Sequence, residues 1–192
     1  MPESQPNAQI PANALIAEAA KGSKAAFNRV MNEQAPRLQN IALRMMGNSS
    51  DAEDAVQEAL AAAWFKLASF DLSRPISPWL TRITVNKCRD LLRKRRIRQF
   101  FEFHSDNDAG LIIADDAPGP SAELQARQAL EVMQREITRL PAALREPFVL
   151  VTFGENSQAE AAHILGLSEK AVETRIYRAR NHLREIAEKF EG

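Results

Sequence analysis

Residues 77–98 read SPWLTRITVNKCRDLLRKRRIR. Ser77 can cap a helix, and Pro78 fits a first helical turn, where no N–H is required. Leu80, Ile83, Thr84, Cys88, Leu91 and Leu92 then fall on one face at helical spacing. Arg82, Asn86, Arg89, Arg93 and Arg96 recur at steps of four and three on another face. Lys87, Lys94, Arg95 and Arg98 widen that basic surface, and Asp90 is its only acid. With acids so scarce, pairing along the helix cannot neutralise the row, and like charges this close repel one another unless a polyanion lies nearby. Guanidinium groups beside one amide suit a phosphate strand with bases to read. A solvated charged face is the plain alternative. An anionic membrane surface is a rival, but the bulky aromatics of an interfacial helix are missing from the apolar face. A basic row buried against its own chain would contradict the nucleic-acid reading.

Working outward, the charge is unevenly spread over the 192 residues, although the chain is neutral overall. Residues 1–98 carry fifteen Lys and Arg against nine Asp and Glu, residues 99–122 none against five, and residues 123–192 ten against eleven. A basic front, an acidic strap and a near-neutral rear point to two modules with a connector. Apolar residues make up 45% of the chain, enough for real cores. Cys88 is the only cysteine, so no intrachain disulfide can form, and its place on the apolar face marks it as core. Residues 1–12 are polar and rich in Pro and Gln, without the profile of a signal peptide, and are expected to be disordered. No later run is apolar enough to span a bilayer, so a cytoplasmic protein without membrane insertion is expected.

Before the basic helix, Asn13 can cap a short helix with Leu15, Ile16 and Ala19 inward, and Gly22-Ser23 ends it and can cap the next. Ala26, Phe27, Val30 and Met31 form a core stripe, Pro36 allows a bend or fresh start, and Leu38, Ile41, Ala42, Met45 and Met46 continue the pattern to a stop at Gly47. Ser50 and Glu53 form a capping box for a helix to about Ser69, with Val56, Leu60, Ala63, Trp64 and Leu67 inward. Asp51, Glu53, Asp54, Gln57 and Glu58 cluster on its outer side, either as favourable dipole partners or as a docking surface for a basic helix. Phe70–Ser77 is a loop stiffened by Pro75, with Trp79 at the junction, largely in the core.

Beyond residue 98 the periodicity is lost, and residues 99–120 read as an acidic linker. Ser121 can cap a helix with Ala126, Leu130, Met133, Ile137 and Leu140 as its stripe, and Pro141 starts another, with Leu144, Phe148 and Val151 inward and Pro147 bending it. Ser157 and Glu160 form a second capping box for a short helix carrying Ala161, Ala162, Ile164 and Leu165. Gly166-Leu167 turns the chain and Ser168 caps a long helix with Val172, Ile176, Ala179, Leu183 and Ile186 inward. Lys170, Glu173, Thr174, Tyr177 and Arg178 lie on the exposed start of that helix. This is the helix-turn-helix pattern, in which such residues reach base edges in a major groove. Arg175, Arg178, Arg180 and Arg184 supply cations for phosphate. The fold expected is therefore all-α, with two small helical domains, residues 13–98 and 121–192, and the second a helix-turn-helix. His104, His163 and His182 are scattered, and no metal-ligand spacing, phosphate loop or nucleophile motif is visible, so neither an enzyme nor a cofactor is indicated.

With both halves in view the chain resembles a bacterial sigma factor of the extracytoplasmic-function group. Asp51-Ala52-Glu53-Asp54-Ala55-Val56-Gln57-Glu58 followed by Trp64 is similar to that family's polymerase-binding helix. Trp79 to Asn86, then Asp90 and Arg93, resembles its promoter-melting helix. Leu140-Pro141-Ala142-Ala143-Leu144-Arg145-Glu146 and Gly166-Leu167-Ser168 through Leu183 resemble its −35-reading domain. The resemblance implies that Asp54, Gln57 and Glu58 dock on the β′ clamp helices of core RNA polymerase, with the rear domain on the β flap. It implies that Asp71, Ser73 and Asn86 hold an extruded −10 base of the promoter DNA while Arg82, Lys87, Arg89 and Arg93 grip the strand. Lys170, Glu173, Thr174, Arg175, Tyr177 and Arg178 would read the −35 element, the acidic linker would thread the cleft between the domains, and a cognate anti-sigma factor would block the free protein. Glu173 departs from the family's usual base at that position, and a carboxylate there favours a cytosine amino group. Ala161 replaces a larger apolar residue. A sigma-like adaptor that sequesters an anti-sigma factor without DNA, and a plain helix-turn-helix repressor, are the competing readings. The first would not need the intact basic face, and the second leaves the front half unused.

Overall fold

A computed structural model describes residues 12–102 and 122–191. Among them there is no strand. The helices are α1 (Ala12–Ala20), α2 (Lys24–Met46), α3 (Ser49–Lys66), α4 (Ile76–Glu102), α5 (Ala122–Arg139), α6 (Ala142–Thr152), α7 (Gln158–Leu165) and α8 (Glu169–Glu191), with a 3-10 turn at Leu67–Ser69. The expected disorder of residues 1–12 falls outside the described residues apart from Ala12, as do most of the acidic linker and the Ser121 cap.

Helix ends follow from local chemistry. Ser23 is extended and its hydroxyl accepts from the Ala26 N–H, which starts α2. Gly47 ends it at φ 83°, a left-handed conformation that costs glycine least. A Cβ at Gly47 would also meet Thr138 of α5 at 2.9 Å, so the position serves packing as well as the turn. In the rear half, Ser157 and Glu160 satisfy each other's backbone N–H groups, Gly166 reverses the chain at φ 68°, and the Ser168 hydroxyl accepts from Ala171.

Several boundaries differ from the sequence expectation. Asn13 lies inside α1 rather than capping it. Pro36 starts no new helix, because α2 passes through it. Pro36 and Asn32 are both exposed, so the one carbonyl the proline leaves unpaired can face water. The cap of α3 is Asn48, not Ser50: the reversal at Gly47 leaves Asn48 extended, and its side chain reaches the Asp51 N–H at 2.8 Å first. Ser77 sits in the first turn of α4 and its carbonyl accepts from the Thr81 hydroxyl, so it does not cap that helix. α4 continues through Gln99–Glu102, four residues the sequence reading gave to the linker. Leu130 is 68% exposed, whereas Met133 and Ile137 of the same expected stripe pack on the core.

The two helical groups, α1–α4 and α5–α8, pack against each other. Leu38, Ile41, Ala42, Met45, Leu80, Val85 and Cys88 are buried in the front, and Ile137, Leu150, Ala161, Val172 and Ala179 in the rear. Where the groups meet, Gly154 lies so close to α2 that a Cβ would be 2.9 Å from Ile41 Cδ1. Arg37 donates to the Gly154 carbonyl at 2.8 Å and, on the front side, to Thr81 Oγ1 at 2.8 Å and the Ser77 carbonyl at 3.1 Å. Asn40 donates to the Phe153 carbonyl, Arg44 stacks over the Phe153 ring at 4.8 Å and bonds Gln134, and Gln134 donates to the Leu43 carbonyl. Long polar side chains of α2 thus cross a seam at which the buried apolar residues of both groups form one continuous cluster.

Candidate nucleic-acid interface

α4 presents its residues as the period requires. Leu80, Thr81, Thr84, Val85 and Cys88 are buried while Arg82, Asn86, Arg89, Arg93, Lys94, Arg95, Arg96 and Arg98 are exposed. Thr81 joins the buried face, which the apolar pattern alone does not flag, because its hydroxyl is paired with Ser77 and Arg37. Burial pushes the Cys88 thiol up to about 12.

Part of the basic row is matched by the protein's own acids. Lys87 meets Glu58 at 3.1 Å and Arg95 meets Asp51 at 3.2 Å, both on α3, while Arg93 pairs along the helix with Asp90. Arg89 makes the tightest contact, donating from Nε to Glu146 Oε1 at 2.8 Å and from Nη2 to Oε2 at 2.5 Å. That bond raises the Arg89 pKa against the opposing effect of burial. Among the described residues Arg82, Lys94, Arg96 and Arg98 have no ion-pair partner. The row is therefore not buried against its own chain, but tertiary pairing, which local spacing cannot reveal, takes up some of its charge.

Two concavities lie along α4. One of about 710 Å³ is lined by Ala62, Lys66, Ile83, Asn86, Lys87, Arg89, Asp90 and Arg93. It gathers Asn86 with Lys87, Arg89 and Arg93, and Arg89 reaches the Asn86 amide oxygen at 3.4 Å. The other, about 620 Å³, lies between the loop before α4 and α7, and its lining includes Phe70, Asp71, Arg74, Trp79, Arg82, Glu160 and His163. Phe70 and Trp79 pack with ring centroids 4.9 Å apart, giving it an aromatic wall. Asp71 accepts from the Ser73 hydroxyl at 2.6 Å and from its N–H at 3.0 Å, which folds the loop tip and lowers the Asp71 pKa. Asp71 and Arg82 thus line one hollow and Asn86 the other, and Ser73 shapes the loop without lining either.

On α3, Asp54 and Gln57 are exposed and Glu58 is half-buried beside Lys87. At the start of α8, Lys170, Glu173, Thr174, Tyr177 and Arg178 are exposed and Arg175 is half-buried. Lys170 pairs with Glu173 at 2.8 Å, and the Thr174 hydroxyl bonds back to the Lys170 carbonyl. Val172, Ile176, Ala179 and Leu183 anchor the opposite face, so the polar start of α8 is held outward by a rigid helix pair.

Family models for Sigma-70 region 2 match residues 30–97 and for Sigma-70 region 4 residues 130–183. The RNA polymerase sigma factor CnrH of Cupriavidus metallidurans is 41% identical over 88% of this chain and 90% of its own. The ECF RNA polymerase sigma factor SigW of Bacillus subtilis is 31% identical over 88% and 92%. This chain belongs to the ECF RNA polymerase sigma factors. Among solved structures, CnrH in complex with the cytosolic domain of CnrY superposes with a TM-score of 0.70 at 33% identity, covering 92% of this chain and 97% of that one. The sigma factor RpoE in complex with the anti-sigma factor NepR from Bartonella quintana gives 0.67 at 26%, covering 84% and 96%. The all-α arrangement ending in a helix-turn-helix is that of these relatives, and no described helix of this sigma factor is long and apolar enough to cross a membrane.

Three participants in this sigma factor's surface escaped the sequence reading. Arg74 lines the loop hollow, Arg37 ties that loop's helix to the rear half, and Glu146 holds Arg89. Arg74 had a signal, a cation between the loop's tip and its proline. Arg37 and Glu146 had none, since their partners lie as far as 117 and 57 residues away in sequence.

Proposed function

We propose that this ECF sigma factor brings core RNA polymerase to its promoters through three surfaces. Asp54, Gln57 and Glu58 on α3 dock on the β′ clamp helices, and the rear group sits on the β flap. Lys87, Arg89 and Arg93 beside Asn86 hold the backbone of the melted −10 strand, and the hollow with Asp71, Arg82 and the Phe70–Trp79 wall takes an unstacked base. Lys170, Glu173, Thr174, Arg175, Tyr177 and Arg178 read the −35 element in the major groove. Residues 13–98 act as the region 2 domain and residues 121–192 as the region 4 domain. The protein acts in the cytoplasm, without catalysis of its own, and an anti-sigma factor restrains it, by analogy with the complex of RpoE and NepR.

One observation carries the reading: a single chain presents both an exposed cation-and-amide row beside two strand-sized hollows and an outward-facing helix-turn-helix. Unpairing a base costs a few kcal/mol, and a cationic groove with an aromatic wall offsets that cost. The test is run-off transcription on genomic fragments with purified core polymerase, followed by sequencing of RNA ends. Discrete start sites that core enzyme alone lacks are expected; no added start site would overturn the proposal.

A further inference from the structure

The Glu146 carboxylate offers Arg89 two oxygens at 2.8 and 2.5 Å, the fork-to-fork geometry by which a guanidinium also takes a phosphate. Glu146 itself is buried, held at the first turns of α6. On the same side of α4, α7 faces Arg82 across the loop hollow through Ala159, Glu160, His163 and Ile164. The rear half of the same chain thus occupies Arg89 and walls one side of the hollow that holds Arg82.

The seam that keeps them engaged joins apolar packing, with buried residues of both groups in one continuous cluster, to the hydrogen bonds of Arg37, Asn40, Arg44 and Gln134, which water can replace when the groups part. Gln34 Oε1, Arg44 Nε, Arg145 Nε and Asn156 Oδ1 are buried without a hydrogen-bond partner among the described residues. Of these Arg44 spans the seam, and its unpaired Nε weighs against the closed arrangement. Burial also lowers the pKa values of Arg37 and Arg145, the mark of cations held in partial desolvation.

We infer that Glu146 is an internal stand-in for a DNA phosphate: it occupies Arg89 while the two helical groups are closed and must leave before a promoter strand can bind. The inference rests on the reading of α4 as the DNA-facing helix. A ligand that binds only the open form shifts the population by its differential affinity, so the strength of this contact sets how readily the free chain takes up DNA.

The experiment is fluorescence anisotropy of a labelled single-stranded DNA of mixed sequence, titrated with the full-length chain at fixed ionic strength. Glu146→Gln keeps the side chain's shape and removes its charge. Glu131→Gln makes the same charge change on the exposed surface of α5 and sets the baseline for the added net charge. Glu146→Gln is expected to bind about tenfold more tightly than Glu131→Gln, within the usual range of coupling between two states. Arg37→Met, which loosens the seam from a residue outside the proposed DNA surface, is expected to tighten binding in the same direction. Equal affinities of Glu146→Gln and Glu131→Gln would overturn the inference, as would weaker binding by both seam variants. Promoter-directed run-off transcription by the wild-type holoenzyme separates the failures: if it persists while the variants show no gain, the contact is passive; if it is absent, the DNA reading itself has failed.

Discussion

Lys87 Nζ lies 3.1 Å from Glu58 Oε2, so a cation of the proposed strand-binding row is tied to an acid of the proposed polymerase-docking surface. Both side chains are partly exposed, and such a pair contributes about 1 kcal/mol or less to folding. Replacing Glu58 by Gln should therefore leave the urea midpoint nearly unchanged. Affinity for core polymerase, read by competition with a labelled sigma factor, should drop about tenfold, and more when Gln57→Ala is added. Unchanged affinity in the double variant would remove α3 from the docking surface.

Asn86 shares its hollow with Arg89 and Arg93 and contributes no buried packing. Asn86→Ala should slow promoter opening about tenfold, roughly 1.4 kcal/mol in the barrier, with little change in closed-complex affinity. Permanganate reactivity of unpaired thymines against time follows the first quantity, and gel shift in the cold the second. Equal loss in both would show that Asn86 acts in initial binding and not in holding the melted strand.

Gly154 sits where the front and rear helices touch. A methyl group there would stand 2.7 Å from the Leu150 carbonyl oxygen and 2.9 Å from Ile41 Cδ1. Backbone cannot yield as a side-chain tip can, so Gly154→Ala should destabilise by about 1–3 kcal/mol, measured by urea unfolding. A neutral result would mean that the end of α6 shifts at low cost to make room for the methyl group.

Cys88 offers a pH test with a definite sign. Its thiol ionises near 9.0 when free of the fold and near 12 when buried, so the folded chain keeps its proton longer. The stability it contributes is whole below pH 9.0 and falls as pH rises from there toward 12. Iodoacetamide at pH 8 should label it only after denaturant is added. Replacement by Ala should flatten part of the alkaline loss of stability, and rapid native labelling would show that α4 opens.

The sequence alone determined the helical faces, the reversals at Gly47 and Gly166, the Ser23, Ser157 and Ser168 caps, and the polar start of α8. Each of these depends on groups within about four residues of one another, the reach of a helical turn, so spacing and residue type suffice. Even locally the reading misplaced a cap when two polar residues competed, and Asn48 won over Ser50 because the preceding reversal had already extended it. The exposure of Leu130, the passage of α2 through Pro36, and the partners of Lys87, Arg95 and Arg89 were decided only in three dimensions. Arg89 and Glu146 are 57 residues apart, and no periodicity along a chain encodes which helix will lie against which. Charge patterning could say that a cationic row wants anions; packing alone chose which of its cations are met from within.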